Sequence, residues 1–179
     1  MFGRFSFLPT LCYNVFMEKV SSRQWFNRID DSVILGALPF RSLVPQLISE
    51  ENVKGVISMN ENFELKFWVP TTEEWKSNGV EFLQLSTADI FHAPNQEKIE
   101  KGIAFIKQFE GTGTVYVHCK AGRTRSATLV ACYLIQKHSW KPNEAVDFIM
   151  AKRPHILLRS KQWEAIHLFH SNYLKSKHV

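Results

Sequence analysis

The sequence predicts an α/β sandwich in which a mostly parallel central sheet is flanked by helices and the C-terminal half is mainly helical. Two observations lead to this prediction. Short runs of β-branched and aromatic residues alternate with helical stretches as far as residue 118, and from residue 125 onward the periodicity is mostly helical. Such an alternation places parallel strands in one sheet and packs the connecting helices against its faces.

Four strands are predicted, each from a short run of β-branched, aliphatic or aromatic residues. They are Val33–Leu35, Val53–Ser58, Val80–Leu85 and Thr114–His118. A turn signal, Gly111-Thr-Gly113, separates the last strand from the helical stretch before it.

Six helices are predicted where apolar residues recur every three or four positions or where capping signals occur. They are Pro45–Glu50, Thr72–Ser77, Glu97–Phe109, Ser126–Lys137, Asn143–Lys152 and Ser160–Lys175. The helix that begins at Ser126 is apolar nearly all round, which is typical of a buried helix. Pro142 suits the first position of the next helix, and Pro154 ends it.

The composition is that of one packed domain. The chain has 179 residues, of which 45% are hydrophobic and 22% charged, and this excludes disordered and fibrous classes. Three cysteines without a Cys-x-x-Cys pair exclude a disulfide framework and a zinc knuckle, and fit a reducing compartment. The net charge of +5 favours anionic partners but is too dispersed to indicate nucleic acid, so no nucleic-acid partner is expected.

The N-terminus is apolar and basic, with no acidic residue among the first 17. It is too short and too interrupted, by Pro9 and Asn14, to span a bilayer. Two interpretations stay open from periodicity alone. The segment is either a helix packed on the domain, or a mitochondrial targeting or membrane-associating element.

One segment, Tyr116 to Thr128, has the residues of a nucleophilic phosphate-binding site. A predicted strand ends in His118-Cys119, five residues form a loop, and Arg125-Ser126 begin a helix. Backbone amides of such a loop and of a helix N-terminus bind anions and lower the pKa of a thiol among them. The planar Arg125 guanidinium suits two phosphate oxygens, and the Ser126 hydroxyl lies within reach of the sulfur. The predicted phosphate-binding residues are Lys120, Ala121, Gly122, Arg123, Thr124 and Arg125.

This His-Cys-x5-Arg pattern resembles the phosphate-binding loop of the cysteine-dependent protein tyrosine and dual-specificity phosphatases. The resemblance implies a dual-specificity-phosphatase-like fold and a reaction in which Cys119 attacks phosphorus, forming a phosphocysteine that water hydrolyses. It implies neither a metal ion nor a cofactor. The catalytic set would be Cys119, Arg125, Ser126 and a general acid, with His118 in a supporting role.

The resemblance also implies which residue is the acid, because the family places an Asp about thirty residues before the cysteine, just after a strand. Asp89 has this position, directly after the third predicted strand. The alternative for Asp89 is a turn or helix-capping role, which is common for aspartate.

Lys120 and Arg123 flank the loop, in a stretch without any acidic residue between Gly111 and Gln136. A second positive group beside the pocket favours substrates that carry more than one phosphate. The pattern Lys-Ala-Gly-basic is similar to that of phosphatases acting on phosphoinositides, so a lipid substrate is expected. The alternative is that both side chains point into solvent.

Several further segments resemble mitochondrial dual-specificity phosphatases that act on phosphatidylglycerophosphate on the route to cardiolipin. They are Pro9–Phe16, Trp25–Asp30, Ile34–Pro39 and Gly55–Glu64. Where that family has Glu-Glu-Tyr-Glu, this chain has Glu61-Asn-Phe-Glu64, which keeps both outer acids as supporting residues.

This second resemblance implies an anionic phospholipid substrate, a membrane surface as partner, and a mitochondrial protein associated with the inner membrane. We therefore divide the chain into a targeting or membrane-associating segment, 1–24, and a phosphatase domain, 25–175, and expect a monomer. Two alternatives remain. One is a phosphotyrosine/phosphoserine protein or phosphoinositide phosphatase with the same chemistry, and the other is a catalytically idle phosphate-binding adaptor.

Overall fold

The computed structural model describes residues 2–21, 23–88 and 92–177. Its centre is a five-stranded sheet with the order β1-β2-β5-β3-β4. The strands are β1 (Phe26–Arg28), β2 (Val33–Gly36), β3 (Val53–Ser58), β4 (Glu81–Gln84) and β5 (Thr114–His118). Among the described strands, only the β1–β2 pair is antiparallel, so the prediction of a mostly parallel sheet is confirmed.

Eight α-helices surround the sheet in the described part of the chain. They are α1 (Phe2–Val20), α2 (Val44–Ser49), α3 (Asn62–Leu65), α4 (Thr72–Ser77), α5 (Gln96–Lys107), α6 (Arg125–His138), α7 (Pro142–Lys152) and α8 (Ser160–Lys177). The predicted helices and strands agree with these bounds to within about two residues, as is usual for element ends. Strand β1 and helix α3 were not predicted, because three or four residues are too few to display a period.

Strand β5 and helix α6 hold the centre of the molecule. Every residue of β5 is buried between β2 and β3, and α6 is buried from Arg125 to Ile135. In the parallel register, the last residue of β5, His118, lies beside Gly36 of β2 and Ser58 of β3. The loops that follow these three strands therefore meet at one edge of the sheet, where open α/β sheets bind their ligands.

Helix α1 lies on the domain through one face and leaves another face exposed. Phe7 and Leu11 are buried against Leu38 and Val69. Elsewhere on the helix, the apolar side chains of Leu8, Tyr13, Phe16 and Val20 are each about half exposed or more. In the described part of the chain, no helix combines the length and apolar character needed to cross a bilayer. The packed-helix interpretation thus accounts for one face only, and the division at residue 24 stays a prediction.

Candidate active site

The loop between β5 and α6 is shaped by a close approach of two backbones. Gly122 has a φ of +63°, and a Cβ built there would lie 2.4 Å from the carbonyl oxygen of Gly36. Only glycine tolerates both conditions, because it has no Cβ and populates positive φ at little cost. The contact presses the loop against the end of β2.

Cys119 lies at the start of this loop, almost completely buried. The hydroxyl of Ser126, in the first turn of α6, donates a hydrogen bond to its sulfur over 3.2 Å. A hydrogen bond to a sulfur stabilises the thiolate over the thiol. The structure therefore brings the predicted nucleophile and the predicted hydroxyl into direct contact.

Arg125 is held from several sides beside the same loop. Its Nη1 and Nη2 donate to the two carboxylate oxygens of Glu64 over 2.8 and 3.0 Å. Nη1 also donates to the carbonyl oxygens of Met59, at 3.2 Å, and Thr87, at 2.8 Å. The guanidinium and the carboxylate are both fully buried. The loops after β3 and β4 thus position the predicted phosphate-binding arginine.

Glu61 and Glu64, the two predicted supporting acids, have different surroundings. Glu64 lies inside the protein, and its carboxylate also accepts a hydrogen bond from the backbone N–H of Glu61 over 2.8 Å. Glu61 precedes helix α3 and is half-buried. Only Glu64 reaches the phosphate-binding arginine.

His118 is buried behind the loop, and neither of its ring nitrogens has a hydrogen-bond partner among the described residues. Burial and, to a smaller extent, the positive charge of Arg125 lower its pKa to about 3, although the nearby backbone of Cys119 raises it. The imidazole is therefore neutral at physiological pH. It adds no charge to the basic stretch in which the sequence places it.

Lys120 and Arg123 border an open groove of about 300 Å³ on the outer side of the loop. The Lys120 ammonium lies 5.9 Å from the centre of the Phe7 ring on α1, and its side chain is nearly buried. Arg123 is half-buried, and its Nε donates to the carbonyl oxygen of His155 over 2.7 Å. The groove is also lined by Thr10, Tyr13, Asn14, Ala121, Thr124, Leu157 and Arg159. Neither of the two predicted flanking side chains simply points into solvent.

Asp89, the predicted general acid, lies outside the described residues. The segment that leads to it is described as far as Ala88. There the backbone of Thr87 donates to the carbonyl oxygen of Met59 over 3.1 Å and accepts from Arg125. In the described part of the chain, no group of three His, Cys, Asp or Glu side chains is placed to hold a metal ion.

Sequence reasoning missed one buried side chain that contacts the loop. Arg153 follows α7, and its guanidinium donates to the carbonyl oxygens of Ala121 and Gly122. Nothing in the local pattern Lys-Arg-Pro distinguishes this arginine from an exposed one, because the partners lie some thirty residues away.

Comparisons with known proteins agree with this geometry. The family model described as dual specificity phosphatase, catalytic domain, matches residues 43–172. Phosphatidylglycerophosphatase and protein-tyrosine phosphatase 1 of Rattus norvegicus is 48% identical over 172 residues, which are 94% of this chain and 89% of the rat protein. Phosphatidylglycerophosphate phosphatase PTPMT1 of Arabidopsis thaliana is 42% identical over 166 residues, 92% of this chain and 48% of that protein. A crystal structure of PTPMT1 in complex with PI(5)P has a TM-score of 0.84 at 45% identity, covering 86% of this chain and 99% of that chain.

Proposed function

The chain belongs to the dual specificity phosphatase family and is a phosphoric monoester hydrolase, and from this premise we propose that it hydrolyses phosphatidylglycerophosphate to phosphatidylglycerol through a phosphocysteine intermediate. One observation carries the proposal. The Cys119 sulfur lies at the base of an anion-binding loop, 3.2 Å from the Ser126 hydroxyl, beside an arginine that Glu64 holds in place.

The reaction proceeds in two displacements at phosphorus. In the first, the Cys119 thiolate forms an S–P bond while the P–O bond to the alcohol breaks, and the departing alkoxide takes a proton from a general acid. In the second, water gives a proton to the carboxylate left by the general acid and attacks phosphorus, the S–P bond breaks, and thiolate, inorganic phosphate and the protonated acid result. Asp89 is our candidate for the acid.

Each described side chain has a distinct part in this scheme. Arg125 stabilises the negative charge that develops on the equatorial oxygens of the transferring phosphoryl group. The Glu64 carboxylate fixes the plane of the Arg125 guanidinium before substrate binds. Ser126 stabilises Cys119 as a thiolate, both as the attacking group and as the leaving group of the second step. An idle phosphate-binding adaptor would need none of these preorganised contacts to the sulfur.

The groove beside the loop supports a substrate with a second phosphate. Lys120, Arg123 and Arg159 line it, and a phosphatidylglycerophosphate molecule carries a phosphodiester close to the monoester that is cleaved. Leu157 and Tyr13 add apolar surface to the same groove. A phosphotyrosine peptide has no matching second anion next to its phosphate.

Helix α1 supports a membrane-associated enzyme, in our proposal at the mitochondrial inner membrane. Leu8, Phe16 and Val20 on this helix are each more than half exposed, and Lys19 lies in its last turn. An apolar face bordered by basic charge binds the interface of anionic membranes. The same helix borders the groove through Thr10, Tyr13 and Asn14, which supports a lipid substrate that enters the groove from a membrane surface.

A substrate panel tests the proposal. Phosphate release is measured from vesicles that contain phosphatidylglycerophosphate or PI(5)P, from phosphotyrosine and phosphoserine peptides, and from p-nitrophenyl phosphate. We expect kcat/KM for phosphatidylglycerophosphate to exceed that for every peptide by at least about tenfold. A peptide or PI(5)P with the highest value would assign the enzyme to the alternative class.

Two double variants test whether the positive charges of the groove bind a second phosphate of the substrate. Lys120→Met with Arg123→Met removes two positive charges beside the loop, and Lys54→Met with Lys107→Met removes two exposed charges near the amino ends of the strands. We expect only the first pair to reduce turnover of the lipid more than turnover of p-nitrophenyl phosphate. Equal losses on both substrates would mean that Lys120 and Arg123 only shape the loop.

A further inference from the structure

Arg153 is one of the largest fully buried side chains in the protein, with 1% of its surface exposed. Burial lowers its pKa to about 10, so the guanidinium stays protonated at neutral pH. Among the described residues, no carboxylate forms an ion pair with it. A buried cation without a counter-ion is costly, and such groups persist where they have a particular task.

All of its hydrogen bonds go to neutral acceptors in two parts of the chain. On the loop side, Nε donates to the Gly122 carbonyl oxygen over 2.8 Å, and Nη2 donates to that of Ala121 over 3.1 Å. On the other side, Nη1 donates to Asn27 Oδ1 over 2.6 Å and to the Gln24 carbonyl oxygen over 3.1 Å. The guanidinium is therefore a rigid bridge between the phosphate-binding loop and the strand β1 region.

The bridge has a consequence for the loop amides. In a trans peptide the N–H points opposite to the C=O of the same unit. Holding the carbonyls of Ala121 and Gly122 against Arg153 turns the N–H groups of Gly122 and Arg123 to the opposite side of the loop. We propose that Arg153 is a positioning residue for catalysis, which orients these two amides as donors to the transferring phosphoryl group and to the Cys119 sulfur.

The proposal rests on the phosphocysteine mechanism proposed above, and it can be distinguished from a purely structural role of Arg153. If Arg153 only tied α7 to β1, its replacement would lower the stability of the protein and leave the catalytic rate unchanged. A positioning role changes the rate and the ionisation of the nucleophile, because donors aimed at a developing charge lower its energy only when correctly oriented. Lysine keeps the charge of arginine but lacks the planar fork, so it cannot reproduce the bridge.

The test compares Arg153→Lys and Arg153→Met with Ile149→Ala, a buried change one turn earlier in α7 that keeps the Arg153 guanidinium and its hydrogen bonds to the loop. We measure turnover of p-nitrophenyl phosphate, vanadate affinity, the pH midpoint of Cys119 alkylation by iodoacetate, and Tm. Among the described residues, the charged or titratable groups around the loop include Tyr116, His118, Lys120, Arg123, Arg125, Glu64, His155 and Arg159, and all of them are retained in each variant.

Both arginine variants are expected to lose at least about tenfold in kcat and in vanadate affinity, and to move the alkylation midpoint to higher pH. Ile149→Ala is expected to lower Tm. Its kcat is expected to stay within about twofold of wild type, and its alkylation midpoint within a few tenths of a pH unit. If Arg153→Met does not fold, the kcat, vanadate affinity and alkylation midpoint of Arg153→Lys alone test the proposal. The proposal is overturned if Arg153→Lys keeps its midpoint and kcat, or if Ile149→Ala at equal Tm loses as much activity. A wild-type protein without aryl phosphatase activity would instead refute the mechanism itself.

Discussion

Arg125 and Glu64 form a two-pronged ion pair in the interior of the protein, with N–O distances of 2.8 and 3.0 Å. The two residues lie 61 positions apart in the chain, at the start of α6 and in α3. A parallel pair of hydrogen bonds fixes the plane of a guanidinium as well as its position. Arg125 is thereby held in one orientation before any phosphate binds, and the pair links the substrate site to the loop after β3.

We predict that Glu64→Gln impairs both activity and stability. The amide keeps the shape of the side chain but leaves the buried Arg125 charge without its counter-ion, a loss on the order of 3 kcal/mol or more for a buried pair. We expect kcat/KM for p-nitrophenyl phosphate to fall about 10- to 100-fold and Tm to fall by several degrees. Glu61→Gln, at the start of the same helix, is the matched control and is expected to be close to wild type. Equal kinetics of the two variants would refute the positioning role of Glu64.

We predict that Cys119→Ser abolishes turnover but keeps the anion site. A serine hydroxyl has a far higher pKa than a thiol, so it does not become a nucleophile in this loop. The loop amides and Arg125 remain, and calorimetry is therefore expected to show phosphate or vanadate binding comparable with that of the wild type. Residual turnover within about tenfold of wild type would exclude a covalent phosphocysteine.

We predict that stability decreases on acidification because His118 is buried as the neutral imidazole. Its pKa of about 3 lies below the unfolded value of 6.5, so between these values the unfolded chain binds more protons than the folded one. The contribution of His118 to stability is complete above about pH 6.5 and falls by about 1.4 kcal/mol for each further unit towards about pH 4.5, and His155, whose pKa burial lowers to about 4, adds to the fall over the same range. Urea unfolding at several pH values measures the combined slope. His118→Asn is expected to reduce this slope, whereas His167→Asn, on an exposed residue, is not; equal slopes would contradict the assignment.

We predict that the exposed face of α1 binds membranes and that its buried face stabilises the domain. Leu8→Ser with Phe16→Ser removes apolar side chains that are each more than half exposed. We expect sedimentation with anionic vesicles to fall at least about tenfold, with Tm and aryl phosphatase activity unchanged. Leu11→Ser, on the buried face, is expected to lower Tm instead. If the exposed pair lowers Tm and leaves vesicle binding intact, the two faces have the opposite roles.

Local features of the site were predictable from the sequence, and long-range ones were not. Cys119, Arg125 and Ser126 lie within eight residues that run from the end of a strand through a loop to the start of a helix. Their types and spacing are therefore sufficient to indicate an anion-binding nucleophile. A supporting role for Glu64 could be predicted only from a family resemblance, because no local sequence pattern shows that Glu64 contacts Arg125. Arg153 was missed altogether, because burial of an arginine depends on the packing of distant segments.

Burial also determines two properties that the composition left open: the charge of His118 and the packing of the N-terminal helix. His118 counts as a basic residue in the sequence, yet its position behind the loop in a fully buried strand makes it neutral. The acid-free start of the chain fits a packed helix and a membrane element equally well. The structure shows why: Phe7 and Leu11 pack against apolar residues of the domain, whereas Leu8 and Phe16 of the same helix are more than half exposed.

The last prediction concerns Asp89 and depends on the leaving group. A glycerol alkoxide has a conjugate-acid pKa of roughly 15 and needs a proton to depart, and general acid catalysis of this kind contributes about 10²–10⁴-fold. p-Nitrophenolate is a much weaker base and leaves readily without one. Asp89→Asn is therefore expected to reduce phosphatidylglycerophosphate turnover by orders of magnitude and p-nitrophenyl phosphate turnover far less. The high-pH limb of the rate profile is expected to disappear, because it reports loss of the proton from the acid. Asp147→Asn, on an exposed position of α7, is the control. If both substrates slow equally and the limb persists, Asp89 is not the acid and Glu61 becomes the next residue to test.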